Sequence, residues 1–219
     1  MITIEIKNVS KAIHKQTVID GVSATLQSGK IYGFQGINGS GKTMLMRLIS
    51  GLIRPTQGSI EINEKTLGKD ITFPESIGLF LENPAFLGSY SGFENLKMLA
   101  SIQNRVDDEK VRDTISSVGL DPNDKKKYRK YSLGMKQRLG IAAAIVEEPE
   151  IVILDEPTNS LDTDGVELVK TILKAQRERG ALVIISCHDL SILQMMSDEI
   201  LLLESGRVVK HLFAPDFTE

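Results

Sequence analysis

Residues 31–50 read IYGFQGINGSGKTMLMRLIS: a short apolar run, a glycine-rich turn, then apolar residues at helical spacing. IYGFQ at 31–35 has the character of a strand, and the pattern from Lys42 is helical until Gly51 and Pro55 close it. Between them GINGSGKT at 36–43 fits G-x-x-x-x-G-K-[ST], in the strand-then-helix setting that gives the pattern its meaning. Gly36, Gly39 and Gly41 permit backbone conformations closed to residues with a side chain. Successive N–H groups then converge on one anion at the positive end of the helix. The candidate contacts are Asn38, Gly39, Ser40, Gly41, Lys42, Thr43 and Met44. Lys42 would reach the β and γ phosphates, and the Thr43 hydroxyl would ligate magnesium. A nucleoside triphosphate with Mg²⁺ is therefore the expected ligand.

Downstream, EIVILD at 150–155, ALVIIS at 181–186 and EILLLES at 199–205 are compact apolar runs separated by helical segments near 163–179 and 189–196. Runs of this kind suit parallel strands buried on both faces, and their alternation with helices argues for an α/β core. Upstream, residues 2–7 and 17–27 alternate apolar with polar, as strands of an antiparallel edge do, PTQGSIEI at 55–62 reads as a turn feeding another strand, and more strand material lies at 77–82. From about Pro84 to Val146 the period becomes helical. The expected organisation is a single domain over 1–219. Its α/β core with antiparallel edge would span 1–82 and 147–219, and a helical subdomain about 83–146.

The run IVILDE at 151–156 ends in two carboxylates. A buried strand of a parallel sheet delivers its last residues to the crevice where the phosphate loop opens. Asp155 is thus a candidate magnesium ligand, acting through water, and Glu156 a candidate general base for the attacking water. A second anion site is suggested by YSLGMKQRL at 131–139. Ser132 is a good N-cap and Gly134 permits close backbone approach, so the helix they open presents free N–H groups and a positive end.

Composition narrows the field further. The 219 residues are 41% hydrophobic and 25% charged, which is ordinary for a globular protein. Lys and Arg number 26 against 29 Asp and Glu, and a net charge of −3 leaves no basic footprint for nucleic acid. A single cysteine, Cys187, excludes a disulfide framework and reads as core packing in a reducing compartment. No export signal opens the chain, and the longest apolar runs fall far short of the ~20 residues that cross a bilayer. A membrane role would come through a partner.

The order and spacing of phosphate loop, helical insert, YSLGMKQRL, EIVILDEPTNSLD at 150–162 and ISCHD at 185–189 resemble the ATP-binding cassette (ABC) ATPases over roughly residues 2–210. YSLGMKQRL resembles their LSGGQ signature in the variant found in peptide-antibiotic exporters, with Leu133 and Met135 departing from the usual residues. The resemblance implies a P-loop core and a homodimer in which Ser132 and Gly134 of one chain close over the ATP of the other. It also implies that Ser160 and Asp162 couple the two sites, and that His188 senses the γ phosphate. An integral membrane permease as partner, and a cytoplasmic location on the inner face of the cell membrane, are implied as well. Alignment puts Ile13 where the family stacks an aromatic on adenine, with His14 beside it, and Glu82 where it has a metal-sensing glutamine, which makes Glu82 a further candidate metal ligand. Base preference between ATP and GTP is left open by the first departure. The implied function is ATP hydrolysis that powers export of a peptide or amphipathic compound. The rivals are a soluble ABC ATPase without a transport role, and a P-loop phosphotransferase, which should lack the signature.

Overall fold

The apolar runs form the centre of a six-stranded sheet in the computed structural model, which describes residues 1–82 and 85–214. Its strands are β3 (Ile31–Gln35), β6 (Ile77–Phe80), β7 (Ile151–Leu154), β8 (Leu182–Cys187), β9 (Glu199–Glu204) and β10 (Arg207–Phe213). They lie in the order β10-β9-β3-β8-β7-β6, all neighbours parallel except the antiparallel pair β9–β10. A second, antiparallel sheet in the order β2-β1-β4-β5 comprises β1 (Thr3–Ile13), β2 (Gln16–Gln27), β4 (Gln57–Ile62) and β5 (Lys65–Thr66).

Continuous apolarity in the central strands follows from burial on both sides. Along β7, Ile151 and Ile153 pack into a cluster shared with the antiparallel sheet, whereas Val152 and Leu154 pack into one shared with helices. The first cluster takes Ile4, Ile6, Leu26 and Ile60 from the antiparallel sheet and Leu45, Met46 and Ile49 from α1 (Lys42–Ile49). The second takes Leu96, Val111, Ile115, Ile141 and Leu173.

Those residues belong to α2 (Gly92–Ala100), α3 (Asp108–Ser117), α4 (Leu133–Ile145) and α5 (Thr163–Glu178); α6 (Leu190–Met196) follows β8. Each starts at a residue whose side chain accepts from a backbone N–H of the first turn: Ser91, Asp107, Ser132, Asp162 and Asp189. Close packing joins α4 to β6, because a Cβ built on Gly78 would come 1.7 Å from the Ala144 carbonyl oxygen.

Against the sequence reading, β1 continues to Ile13, and the strand expected over 77–82 stops at Phe80. Strand β10 was not expected from the sequence. Its residues are mostly exposed, and Lys210 and His211 split its apolar ones into two pairs, so no continuous apolar run announces it. Residues 83–84, where the helical segment was expected to begin, lie outside the described residues. Among the described residues no helix is long and apolar enough to cross a membrane.

Candidate functional site

The glycine-rich loop sits between β3 and α1, at the carboxyl edge of the parallel sheet. Gly39 and Gly41 take φ of 83° and 111°, values that favour glycine. Space matters too at Gly41, where a Cβ would lie 2.8 Å from Ile19 Cδ1. Lys42 is buried and folds back on its own loop, its Nζ donating to the Gly36 carbonyl at 2.6 Å and to that of Ile37 at 3.3 Å.

Strand β7 brings the two carboxylates to the same place. Asp155 is fixed by its backbone N–H, which donates to the Phe80 carbonyl at 2.7 Å. Its Oδ2 accepts from the Thr43 hydroxyl at 2.6 Å, and its Oδ1 accepts from the Ser186 hydroxyl. Glu156 follows with φ 48°. Its backbone N–H donates to Ser186 Oγ at 2.8 Å, and its carbonyl accepts from Gln137 Nε2 at 2.8 Å. The side chain is thereby aimed at the loop. Glu156 Oε1 is buried, accepts no hydrogen bond, and stands 3.6 Å from Lys42 Nζ. Glu156 Oε2 lies 3.2 Å from Nδ1 of the exposed His188.

Chemically, this is an anion cradle closed by a hard-oxygen pair and a carboxylate with one oxygen unsatisfied. The Thr43 hydroxyl and Asp155 carboxylate are donors of the kind Mg²⁺ takes. A buried carboxylate oxygen that accepts no hydrogen bond is costly, so Glu156 Oε1, facing the Lys42 ammonium, is poised to accept from an incoming group. The surrounding cleft, of about 330 Å³, is lined by Val18, Asn38, Gly39, Gly41, Lys42, Thr43, Met44, Arg47, Glu82, Asp155 and Glu156. Ser40 is buried beneath the loop, its hydroxyl among the atoms without a hydrogen-bond partner.

Two expected residues stand differently. Ile13 ends β1 at the tip of the β1–β2 hairpin, next to His14 and Lys15 with positive φ, and the apolar lining of the cleft near that sheet comes from Val18. Glu82 lines the cleft in a left-handed conformation of φ 61°, its carboxylate paired with the Arg47 guanidinium. Burial pushes the Cys187 thiol above its ordinary range, in keeping with a packing role.

Ser132 and Gly134 are not brought to this cleft. They line a separate depression with Leu133, Met135, Ser160, Leu161 and Asp162, and Ser132 Oγ accepts from the Met135 N–H at 3.2 Å. A Cβ on Gly134 would come 3.3 Å from the Ser160 carbonyl, so α4 and the loop before α5 touch here. Sequence reasoning missed Ser186, Gln137 and Arg47. Ser186 carried a signal, a hydroxyl inside an apolar strand, and it proves fully buried.

Comparison with known proteins adds four findings. A family model described as "ABC transporter" matches residues 19–159. The uncharacterised ABC transporter ATP-binding protein YybJ of Bacillus subtilis is 49% identical over 205 residues, covering 94% of each chain. The bacitracin transport ATP-binding protein BcrA of Enterococcus faecalis is 38% identical over 211 residues, 95% of this chain and 68% of that one. Among solved structures, the dimeric ATP-binding cassette MJ0796 in a post-hydrolysis state with ADP and Pi superposes with a TM-score of 0.86, covering 96% of this chain and 98% of that one. At 21% identity it speaks for the fold.

Proposed function

The chain belongs to the ABC transporter family, and from that premise we propose that it is the ATP-hydrolysing subunit that powers a separate membrane permease exporting a peptide or amphipathic compound. The observation that carries the reading is Glu156 Oε1, buried, without a hydrogen bond, and 3.6 Å from the Lys42 ammonium in the cleft of the phosphate loop. In this reading an entering triphosphate takes Lys42 from the Gly36 and Ile37 carbonyls and from Glu156. Glu156 is then free to accept a proton from the attacking water, or to orient it. His188, beside Glu156, donates to the γ phosphate. Asn38, Gly39, Ser40, Gly41 and Met44 complete the cradle. Thr43 and Asp155 would hold Mg²⁺, which neutralises phosphate charge. We assign Glu82, held by Arg47, to the rim of the cleft, and Ile13 to its hairpin edge.

The second anion site remains to be used. Ser132 and Gly134 open a helix end remote from the chain's own cleft, which supports a head-to-tail homodimer in which they close over the partner's ATP, with Ser160 and Asp162 between the sites. The helical segment of about 83–146 then acts as an arm on the core formed by 1–82 and 147–219. Binding of two ATP molecules draws the chains together and hydrolysis releases them, biasing the permease between two access states. Such a subunit sits on the cytoplasmic face of the membrane. Export of a peptide antibiotic is supported by the 38% identity to a protein named for bacitracin transport.

Affinity purification from detergent-solubilised cells, with phosphate release followed on the product, tests this directly. A polytopic membrane protein should co-purify, and phosphate should go to water with no acceptor. Recovery of soluble partners alone would favour the non-transport cassette, and a phosphorylated acceptor the phosphotransferase.

A further inference from the structure

Arg47 has no part in the mechanism above, yet it closes α1 at the cleft. Its guanidinium is paired with the Glu82 carboxylate, and both side chains line the space shared by Lys42 and Asp155. Carboxylates from Glu82, Asp155 and Glu156 therefore surround a place read as the seat of a polyphosphate. Each has its own cover: Asp155 accepts from two hydroxyls, Glu156 faces Lys42 and His188, and Glu82 is held by Arg47. Glu82 is the most exposed of the three and is carried on a left-handed residue, and among the described residues its pairing with Arg47 is what turns its charge from the incoming anion.

We propose that Arg47 is a positioning residue for nucleotide binding, whose guanidinium holds Glu82 aside and cancels its charge so that a magnesium-bound triphosphate enters past it. The proposal rests on the nucleotide reading of the same cleft. A bare carboxylate at this distance scale repels a multiply charged anion by an amount that ordinary salt partly screens. The consequence is a ladder of charge: affinity should follow the net charge of residues 47 and 82, whichever of them is changed.

The test is equilibrium binding of a non-hydrolysable ATP analogue with magnesium, at low and high salt. Arg47→Met should weaken binding about three- to tenfold at low salt, with a smaller loss at high salt. Glu82→Gln should tighten it, and the double variant should return to within about twofold of the wild type. Arg47→Lys should stay near wild type because the charge is kept. A flat Arg47 series with wild-type binding intact overturns this proposal alone. It also falls if the double variant is as weak as Arg47→Met, which would mean the guanidinium binds phosphate itself or only supports the helix. Weaker binding by Glu82→Gln, as expected of a metal ligand, overturns it too. Failure of the wild-type chain to bind the analogue overturns the nucleotide reading together with it.

Discussion

At the residue scale, the proposed function divides the work between Lys42 and Glu156, and their substitution should separate binding from chemistry. Lys42 is the buried cation of the loop, its ammonium occupied by two loop carbonyls. Lys42→Ala should therefore cost most of the affinity for ATP, tenfold or more, in a titration. Glu156→Gln keeps the shape but removes the proton acceptor, so ATP should still bind while steady-state phosphate release falls by about two orders of magnitude or more. Near wild-type release from that variant would put the base elsewhere. The sequence brought both residues into view because each sits in a short motif tied to a strand end. Of the residues that hold Asp155, Glu156 and Glu82, Gln137 and Arg47 carried no mark in the sequence, and Ser186 only that of a hydroxyl inside an apolar strand. They act through contacts between segments far apart in the chain: residues 155 and 186, 156 and 137, 47 and 82.

At the scale of the element, the helix starts are the most legible features. Ser132 was read as a cap from sequence and caps α4, with the added consequence that its hydroxyl is occupied by the Met135 N–H in the single chain. Helix α2 has a fuller device, since Ser91 Oγ accepts from the Glu94 N–H at 3.2 Å and Glu94 Oε2 accepts from the Ser91 N–H at 2.6 Å. Ser91→Ala should destabilise the protein by about 1 kcal/mol in denaturant unfolding. The hydrogen bond from the Ser91 backbone, with further help from the Ser91 hydroxyl and Lys127, holds the Glu94 carboxyl down from 4.5 to about 2. A depressed folded-state pKa stabilises above the unfolded value, so this contribution is present above about pH 4.5 and is lost as pH falls towards 2. Glu94→Gln should flatten the fall in melting temperature across that window, and an unchanged acid profile would show that the box does not form. Strands were legible where burial on both faces made them apolar, as in β7 and β8, or where one buried face made them alternate, as in β1 and β2, and illegible in β10, which is mostly exposed.

At the scale of the whole molecule, the proposed mechanism turns on the separation of the phosphate-loop cleft from the depression at Ser132. The cleft of the phosphate loop and the depression at Ser132 share no lining residue, although Gln137, one turn into α4, donates to the Glu156 carbonyl. A movement of the helical segment would thus be felt at the base, and turnover should fall in Gln137→Ala more than nucleotide affinity does, as a split between kcat and KM. In the proposed head-to-tail dimer, α4 would link the base of one chain to the nucleotide of the other. Sedimentation velocity of the Glu156→Gln chain, with and without magnesium–ATP, tests that arrangement most directly. With ATP bound and not hydrolysed, the chain should shift from monomer to dimer, and a bulky Ser132→Arg change should abolish the shift while each chain still binds nucleotide. A species that stays monomeric with its nucleotide site saturated, or a dimer indifferent to Ser132→Arg, would contradict it.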